Sequence, residues 1–150
     1  KFLQLCVDKK KTIQVHVAAT AQKSSWWTKA FQISKGGDVE WVFGIDGKPE
    51  DSHKYRKNQN GKFLYNMMIR AAAMGLKTTW HYIVFNYNEN DVDECQREAE
   101  KRNITFVKIV SCRWWTEDLL ALKPSEAYVE ESKLGMKRSV GVVDNKSRLI

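Results

Sequence analysis

The chain has 150 residues, 43% of them hydrophobic and 29% charged, with a net charge of +7. That composition gives at most one ordinary globular domain with a sizeable core, and it excludes a disordered or collagenous chain. No apolar run approaches the roughly 18 residues a membrane span needs, and the scattered Cys6, Cys95 and Cys112 form neither a C-x-x-C nor a disulfide scaffold.

In chain order, the first residue is Lys, and Phe2, Leu3, Leu5 and Cys6 already have helical spacing. The sequence reads as a piece of a longer protein. Thr12–Ala19 alternates Ile13, Val15 and Val17 against Gln14 and His16, which predicts a strand. Ser24 or Ser25 is the expected cap of a helix that opens with Trp26-Trp27 and stops at Gly36-Gly37. Val39–Ile45 is β-branched and aromatic, a second strand. A long polar loop follows, from Asp46 to Gly61. Leu64, Met67, Met68, Ala71 and Ala72 keep the i, i+3, i+4 spacing of a helix, and Gly75 sits where its C-terminal cap belongs. Thr78–Phe85 is a third strand. Asn88 or Asn90 is the expected cap of an acidic-first helix reaching Arg102, with Val92, Cys95 and Ala99 inward. Ile104–Val110 is a fourth strand, and Thr116–Leu122 and Ser125–Leu134 read as short helices.

Strands and helices alternate at roughly the 30-residue repeat of right-handed β-α-β units. The fold class is therefore α/β, a parallel sheet of about four strands. The strands are expected in sequential order with the helices on one face. Four strands do not close a barrel, which takes about eight.

The charge is unevenly spread. Residues 1–75 carry 13 Lys or Arg against 6 Asp or Glu, while residues 76–150 carry 12 of each. The excess falls largely in Lys9-Lys10-Lys11 and in residues 54–57. Such a patch attracts phosphate or nucleic acid, although a charge run is more often a solvated face.

In parallel α/β proteins the ligand site lies at the carboxyl ends of the strands. This rule selects Ala18, Ala19, Thr20 and Gln22 after the first strand, and Asp46, Gly47, His53, Tyr55 and Arg56 after the second. After the third it selects Asn86, Asn88 and Glu89, and after the fourth Ser111, Cys112 and Arg113. The loop after the second strand exceeds the usual 2–6 residues of a β-α connection, as a binding loop does. Asp46 is expected to aim at the mouth, where a hydroxyl, an amine or the loop's own backbone is its partner. Arg56 is suited to clamp a carboxylate or phosphate bidentately. His16 and His81 lie inside strands and read as packed residues; His53 is the histidine to test. Cys95 reads as core. Trp26-Trp27 and Trp114-Trp115 read as packing residues before base-stacking ones.

The segment V-F-G-I-D-G-K-P-E-D-S-H-K-Y-R, Val42–Arg56, resembles the fourth-strand segment of radical S-adenosylmethionine enzymes, in their maturase-like branch. The features shared are Gly44, Ile45, Asp46-Gly47, His53 and Tyr55-Arg56. Val17–Trp27, Trp80–Asn90 and Ile104–Trp114 are similar to that family's third, fifth and sixth strand regions, in order, so the resemblance covers residues 1–124. It implies that these residues are the C-terminal part of a (β/α)6 partial TIM barrel, with 125–150 a helical or irregular extension. It implies contacts to S-adenosylmethionine by Gly44, Asp46, Gly47, Arg56, Asn88 and Ser111. Many relatives carry Ser where Gly44 stands. It also implies a [4Fe–4S] cluster, an external one-electron donor, and a peptide or small-molecule substrate. The C-x-x-x-C-x-x-C that would bind the cluster is not in this sequence and is expected upstream of it, and this segment alone is expected to be inactive. A cytoplasmic, reducing location is expected, without a membrane. The alternatives are a basic nucleic-acid- or nucleotide-binding α/β module without catalysis, and a response-regulator-like domain. The last wants an acidic cluster at the strand ends, where Asp46 stands alone.

Overall fold

The computed structural model describes residues 1–18, 20–110 and 116–139. Four strands, β1 (Ile13–Val17), β2 (Val39–Gly44), β3 (Lys77–Ile83) and β4 (Thr105–Ile109), form one sheet in the order β1-β2-β3-β4. Every neighbouring pair is parallel. The connecting helices are α2 (Ser24–Ser34), α3 (Gly61–Ala73) and α4 (Val92–Lys101). A short α1 (Phe2–Asp8) precedes the sheet, and α5 (Glu117–Leu120) and α6 (Glu126–Ser139) follow it.

The register sorts side chains onto two faces, because successive residues of a strand point to opposite sides. Val15, Trp41 and Thr78 are paired in one row, and Val17, Phe43, Trp80 and Phe106 in the next. The helices pack on this face. Trp27 of α2 lies 5.8 Å from Trp41 and 6.1 Å from Phe43, ring to ring. Phe31 meets Trp41 edge-on at 5.0 Å, and Tyr65 of α3 meets Trp80 at 5.6 Å. Cys95 and Ala99 of α4 join Tyr82 in the same core. A sequential parallel sheet with its helices on one side is an arc of a barrel wall. The opposite face carries Gln14, His16, Glu40, Val42, Gly44, Thr79 and His81.

The core is aromatic. Trp27, Trp41, Trp80, Tyr82, Phe31 and Phe43 are fully buried, and rings of this size dominate the burial energy of a small domain. Their polar atoms are mostly paired inside: Trp41 Nε1 donates to Ser34 Oγ at 3.0 Å, and Trp80 Nε1 donates to the Ile45 carbonyl at 2.8 Å.

The elements follow the sequence reading with three local corrections. Ser24 and Ser25 lie inside α2 rather than capping it; Lys23 holds the cap position without a side-chain bond, and Thr28 donates to the Ser24 carbonyl. Asn88 and Asn90 do not cap α4. A 3-10 turn at Glu89–Asp91 intervenes, and the Asn88 side chain turns back to the end of β3. The last helix runs on past Leu134 to Ser139. Asn60 caps α3 by accepting from the Phe63 amide, and Gly75 takes the left-handed position after it. Among the described residues no helix is long and apolar enough to cross a membrane. Phe2 and Leu5 are exposed, while Val7 is buried.

Replacing Trp41 by Ala removes a ring in contact with Trp27, Phe31 and Phe43. The expected loss is about 3–5 kcal/mol, read as a lower urea midpoint with a cooperative transition retained.

Candidate functional site

The site is built where β1 and β2 end. β2 runs into Ile45, Asp46 and Gly47, and the loop then folds back over the strand ends before α3 starts at Gly61. Asp46 is 0% exposed. Its Oδ1 accepts from the Ile83 amide at 3.0 Å, and its Oδ2 lies 2.7 Å from Arg56 Nε. The latter is an ion-pair contact in which the N–H is not aimed along the line of centres. The Asp46 amide donates to Ser52 Oγ at 2.9 Å, and its carbonyl accepts from Tyr87 Oη at 3.0 Å. The carboxylate thus turns into the protein rather than toward the mouth. Burial pushes its pKa up, and the Arg56 charge and the Ile83 amide offset part of that rise.

Arg56 is held from behind by this carboxylate and lies across β2 at Gly44. A Cβ on Gly44 would stand 2.8 Å from Arg56 Nη2 and 3.0 Å from Cζ. Gly44 therefore makes the space that the guanidinium fills. Gly47 has φ +107 and would bring a Cβ to 3.2 Å from Asn88 Cβ, so both conformation and proximity ask for glycine there. The Arg56 side chain is 24% exposed; its Cζ lies over the Tyr55 ring, 5.8 Å from the centroid, and its two terminal nitrogens make no hydrogen bond among the described residues.

Gln59 fastens the loop to both strands. Its Nε2 donates to the Ala18 carbonyl at 2.6 Å and to the Gly44 carbonyl at 3.0 Å, and its Oε1 accepts from Ser52 Oγ. Gln59 and Ser52 are both buried. The Asn60 amide donates to Thr20 Oγ1. The result is an open cleft of about 730 Å³ lined by Ala18, Thr20, Ala21 and Tyr55 through Gln59. That volume falls in the range of small-molecule sites, about 300–1,000 Å³. On the other side of Arg56, against the helix-free face of the sheet, lies a smaller pocket of about 150 Å³ reached by His16, Val42, Gly44 and His81.

The sequence-selected residues divide accordingly. Gly44, Asp46, Gly47 and Arg56 come together. Asn88 stands beside Gly47, but its side chain is occupied: Oδ1 accepts from the Phe85 amide at 2.7 Å and Nδ2 donates to the Ile83 carbonyl at 3.0 Å. Ala19, Ser111, Cys112, Arg113 and the Trp114-Trp115 pair lie outside the described residues. His53 is exposed, with Nδ1 2.7 Å from the Glu50 carbonyl, in a local turn that does not line either cavity. His16 and His81 are not packed under a helix; they stand on the helix-free face with ring centroids 5.6 Å apart. Cys95 is core as expected, its thiol pushed up to about 12 by burial. Trp27 is fully buried and Trp26 stands exposed against its edge.

Lys9-Lys10-Lys11 precede β1, whereas residues 54–57 follow β2, so in a parallel sheet the two basic stretches occupy opposite ends. They do not form one basic surface. Among the described residues no group of three or more His, Cys, Asp or Glu is arranged to hold a metal ion.

Gln59 lies beyond the Val42–Arg56 segment and Ser52 is not among the features shared within it, so sequence reasoning selects neither. His16 and His81 had a usable signal: both fall on the polar side of their strand's alternation, the side on which Gly44 also falls.

No protein-family model matches the chain, and no curated protein matches it. Solved structures do. SuiB of Streptococcus suis shares the fold with a TM-score of 0.67 at 11% identity over 98% of this chain. A second SuiB structure, bound to S-adenosylmethionine, matches with the same three values. The chain spans about a third of the length of these chains, 33% and 34%. At this identity the likeness shows the fold: a four-stranded parallel α/β sheet as in SuiB.

Two predictions follow from the geometry. Gln59→Ala leaves the Ala18 and Gly44 carbonyls and the Ser52 hydroxyl without their partner. It is expected to cost about 1–3 kcal/mol and to speed amide exchange in residues 46–60. His81 has its pKa lowered from the ordinary 6.5 by burial first, then by His16 and Arg56, against the opposing pull of Glu40. The folded state thus prefers the neutral ring. That contribution is complete above the ordinary value and is lost as the pH falls through the folded value. Urea midpoints are expected to drop below about pH 6.5, and His81→Gln is expected to flatten that dependence.

Proposed function

We propose that this chain is the part of a radical S-adenosylmethionine enzyme, of the maturase-like branch, that helps to hold the cofactor at the carboxyl ends of its barrel strands. The observation that carries the reading is Arg56, whose terminal guanidinium nitrogens make no hydrogen bond among the described residues and stand at the edge of a ligand-sized cleft. The Asp-Gly to Tyr-Arg segment of the sequence and the likeness to a protein solved with S-adenosylmethionine bound support the same reading. A carboxylate is the natural complement of a guanidinium fork, and the cofactor's methionine moiety carries one.

The residues divide the work as follows. Asp46 does not contact the ligand; it fixes the orientation of Arg56 and offsets its charge. Gly44 keeps β2 from obstructing the guanidinium. A serine there, as in many members of the family, would crowd it. Tyr55, Thr20 and residues 57–58 line the remaining cleft. Asn88 shapes the loop beside Gly47. A [4Fe–4S] cluster kept reduced by an external one-electron donor would pass one electron to bound S-adenosylmethionine, and the cofactor would supply the radical chemistry that takes hydrogen from the substrate. The described residues offer no ligand set for that cluster. This chain's share is binding, orientation and exclusion of water. The location is a reducing compartment.

The test compares wild type with Arg56→Ala in the intact protein, measuring S-adenosylmethionine binding by calorimetry. Loss of a charge-assisted bidentate contact weakens affinity roughly 10- to 150-fold. Iron content stays unchanged, because no candidate iron ligand is touched. A wild-type protein that does not bind the cofactor, or a variant that binds it equally well, overturns the proposal.

A further inference from the structure

The small pocket behind Arg56 has a composition of its own. It lies on the helix-free face of the sheet and holds about 150 Å³. Val42 and Gly44 of β2 form its floor. Being small, they let the rings of His16 from β1 and His81 from β3 reach across the middle strand to within 5.6 Å of each other. Arg56 closes the top, its Nη2 pressed toward Gly44. Every lining side chain that can hydrogen-bond is a nitrogen group: two imidazoles and a guanidinium. No acid lines it. Asp46 is sealed behind Arg56, and both oxygens of Glu40 are taken, Oε1 by the Thr79 hydroxyl and Oε2 by Gln14 Nε2.

The imidazoles differ. His16 Nε2 lies 2.8 Å from Gln14 Oε1, which fixes that nitrogen as the donor of the neutral ring. His81 has no hydrogen-bond partner among the described residues, although it is half-buried. An unpartnered polar ring on a pocket wall is uncommon unless water or a ligand completes it. A cavity of this size holds about one small ring when it is apolar; lined with donors, it suits one compact acceptor group.

We infer that this pocket receives a carboxylate of the substrate, held between His81 and His16 beneath the Arg56 guanidinium, so that the substrate class is acidic. The inference rests on the proposed function for the word substrate, while the pocket itself does not. The neighbouring charges make the binding proton-linked. The charged groups that act on His81 are Arg56 and Glu40, one positive and one negative, so the pocket carries no net charge to receive an anion. A carboxylate enters together with a proton, which His81 accepts at its unpartnered edge. Binding is tighter at lower pH, and occupancy raises the pKa of His81.

The experiment is an NMR titration of the histidine side chains in the intact protein, with acetate as the probe and sodium chloride at matched ionic strength as the control. It is run with and without saturating S-adenosylmethionine. The expected result is that acetate, but not chloride, shifts the His81 titration upward in both conditions. In His81→Gln, which keeps a polar side chain of similar size, acetate binding weakens roughly 10-fold or more. Acetate and chloride acting alike overturns the inference. So does an acetate effect that S-adenosylmethionine abolishes, since the pocket would then belong to the cofactor. Acetate binding in a protein that does not take S-adenosylmethionine retains the carboxylate pocket and defeats the cofactor reading instead.

Discussion

The structure around the strand ends depends on one buried ion pair. A carboxylate as completely enclosed as Asp46 is costly to keep charged, and it is tolerated only with a close counter-charge and further hydrogen bonds. Arg56 supplies the charge and the Ile83 amide one of the bonds. The two partners are ten residues apart in sequence, so the pair closes the loop on itself. The Ser52 and Gln59 side chains then tie the closed loop to the backbone of β1 and β2. Breaking a buried pair by removing one partner leaves the other uncompensated. The arrangement therefore rises or falls as a unit, and the guanidinium is held in one fixed pose beside the cleft.

That fixed pose separates two functions that sequence alone merges. A ligand-facing Asp and Arg would both be candidate binding residues. Here the Asp is spent on the Arg, and the Arg alone faces outward. The net effect on a visiting anion is weaker than a bare arginine would give, because the pair is neutral as a whole. The recognition comes from direction: N–H groups pointing into the cleft, with their water already partly excluded.

The periodic features were legible from residues. The four strands, their parallel sequential order, the helical face and the choice of Asp46, Gly47 and Arg56 follow from alternation, β-α spacing and the carboxyl-end rule, while Gly44 enters only through the family resemblance. Four things were not. The caps of α2 and α4 were misread because Ser24, Ser25, Asn88 and Asn90 are good caps by type, yet the buried end of β3 had a stronger demand for Asn88. Asp46 was expected to look outward because polar residues usually do, and only the backfolded loop explains its burial. Gln59 was passed over because its three contacts join residues 41, 15 and 7 positions away, which no local pattern encodes. His16 and His81 were assigned to packing although their parity places them with Gly44, away from the helices.

The polar groups of the helix-free face are layered along the strands. The first row on that face, Gln14 and Glu40, is a hydrogen-bonded ladder extended by Thr79. The histidines stand above it, and Arg56 above them. A carboxylate lowered between the rings would meet protonatable nitrogens at its sides and a fixed cation at its top, with the occupied Glu40 below as a like charge. Glu40 sets the depth to which an anion can descend. It also favours the protonated ring once an anion is present, since it is the one neighbour that pulls the His81 pKa upward. The same side chain thus repels the ligand from below and assists the proton that must accompany it. The pocket is consequently selective for an acid delivered at the height of the imidazoles, directly beneath the guanidinium that divides it from the larger cleft.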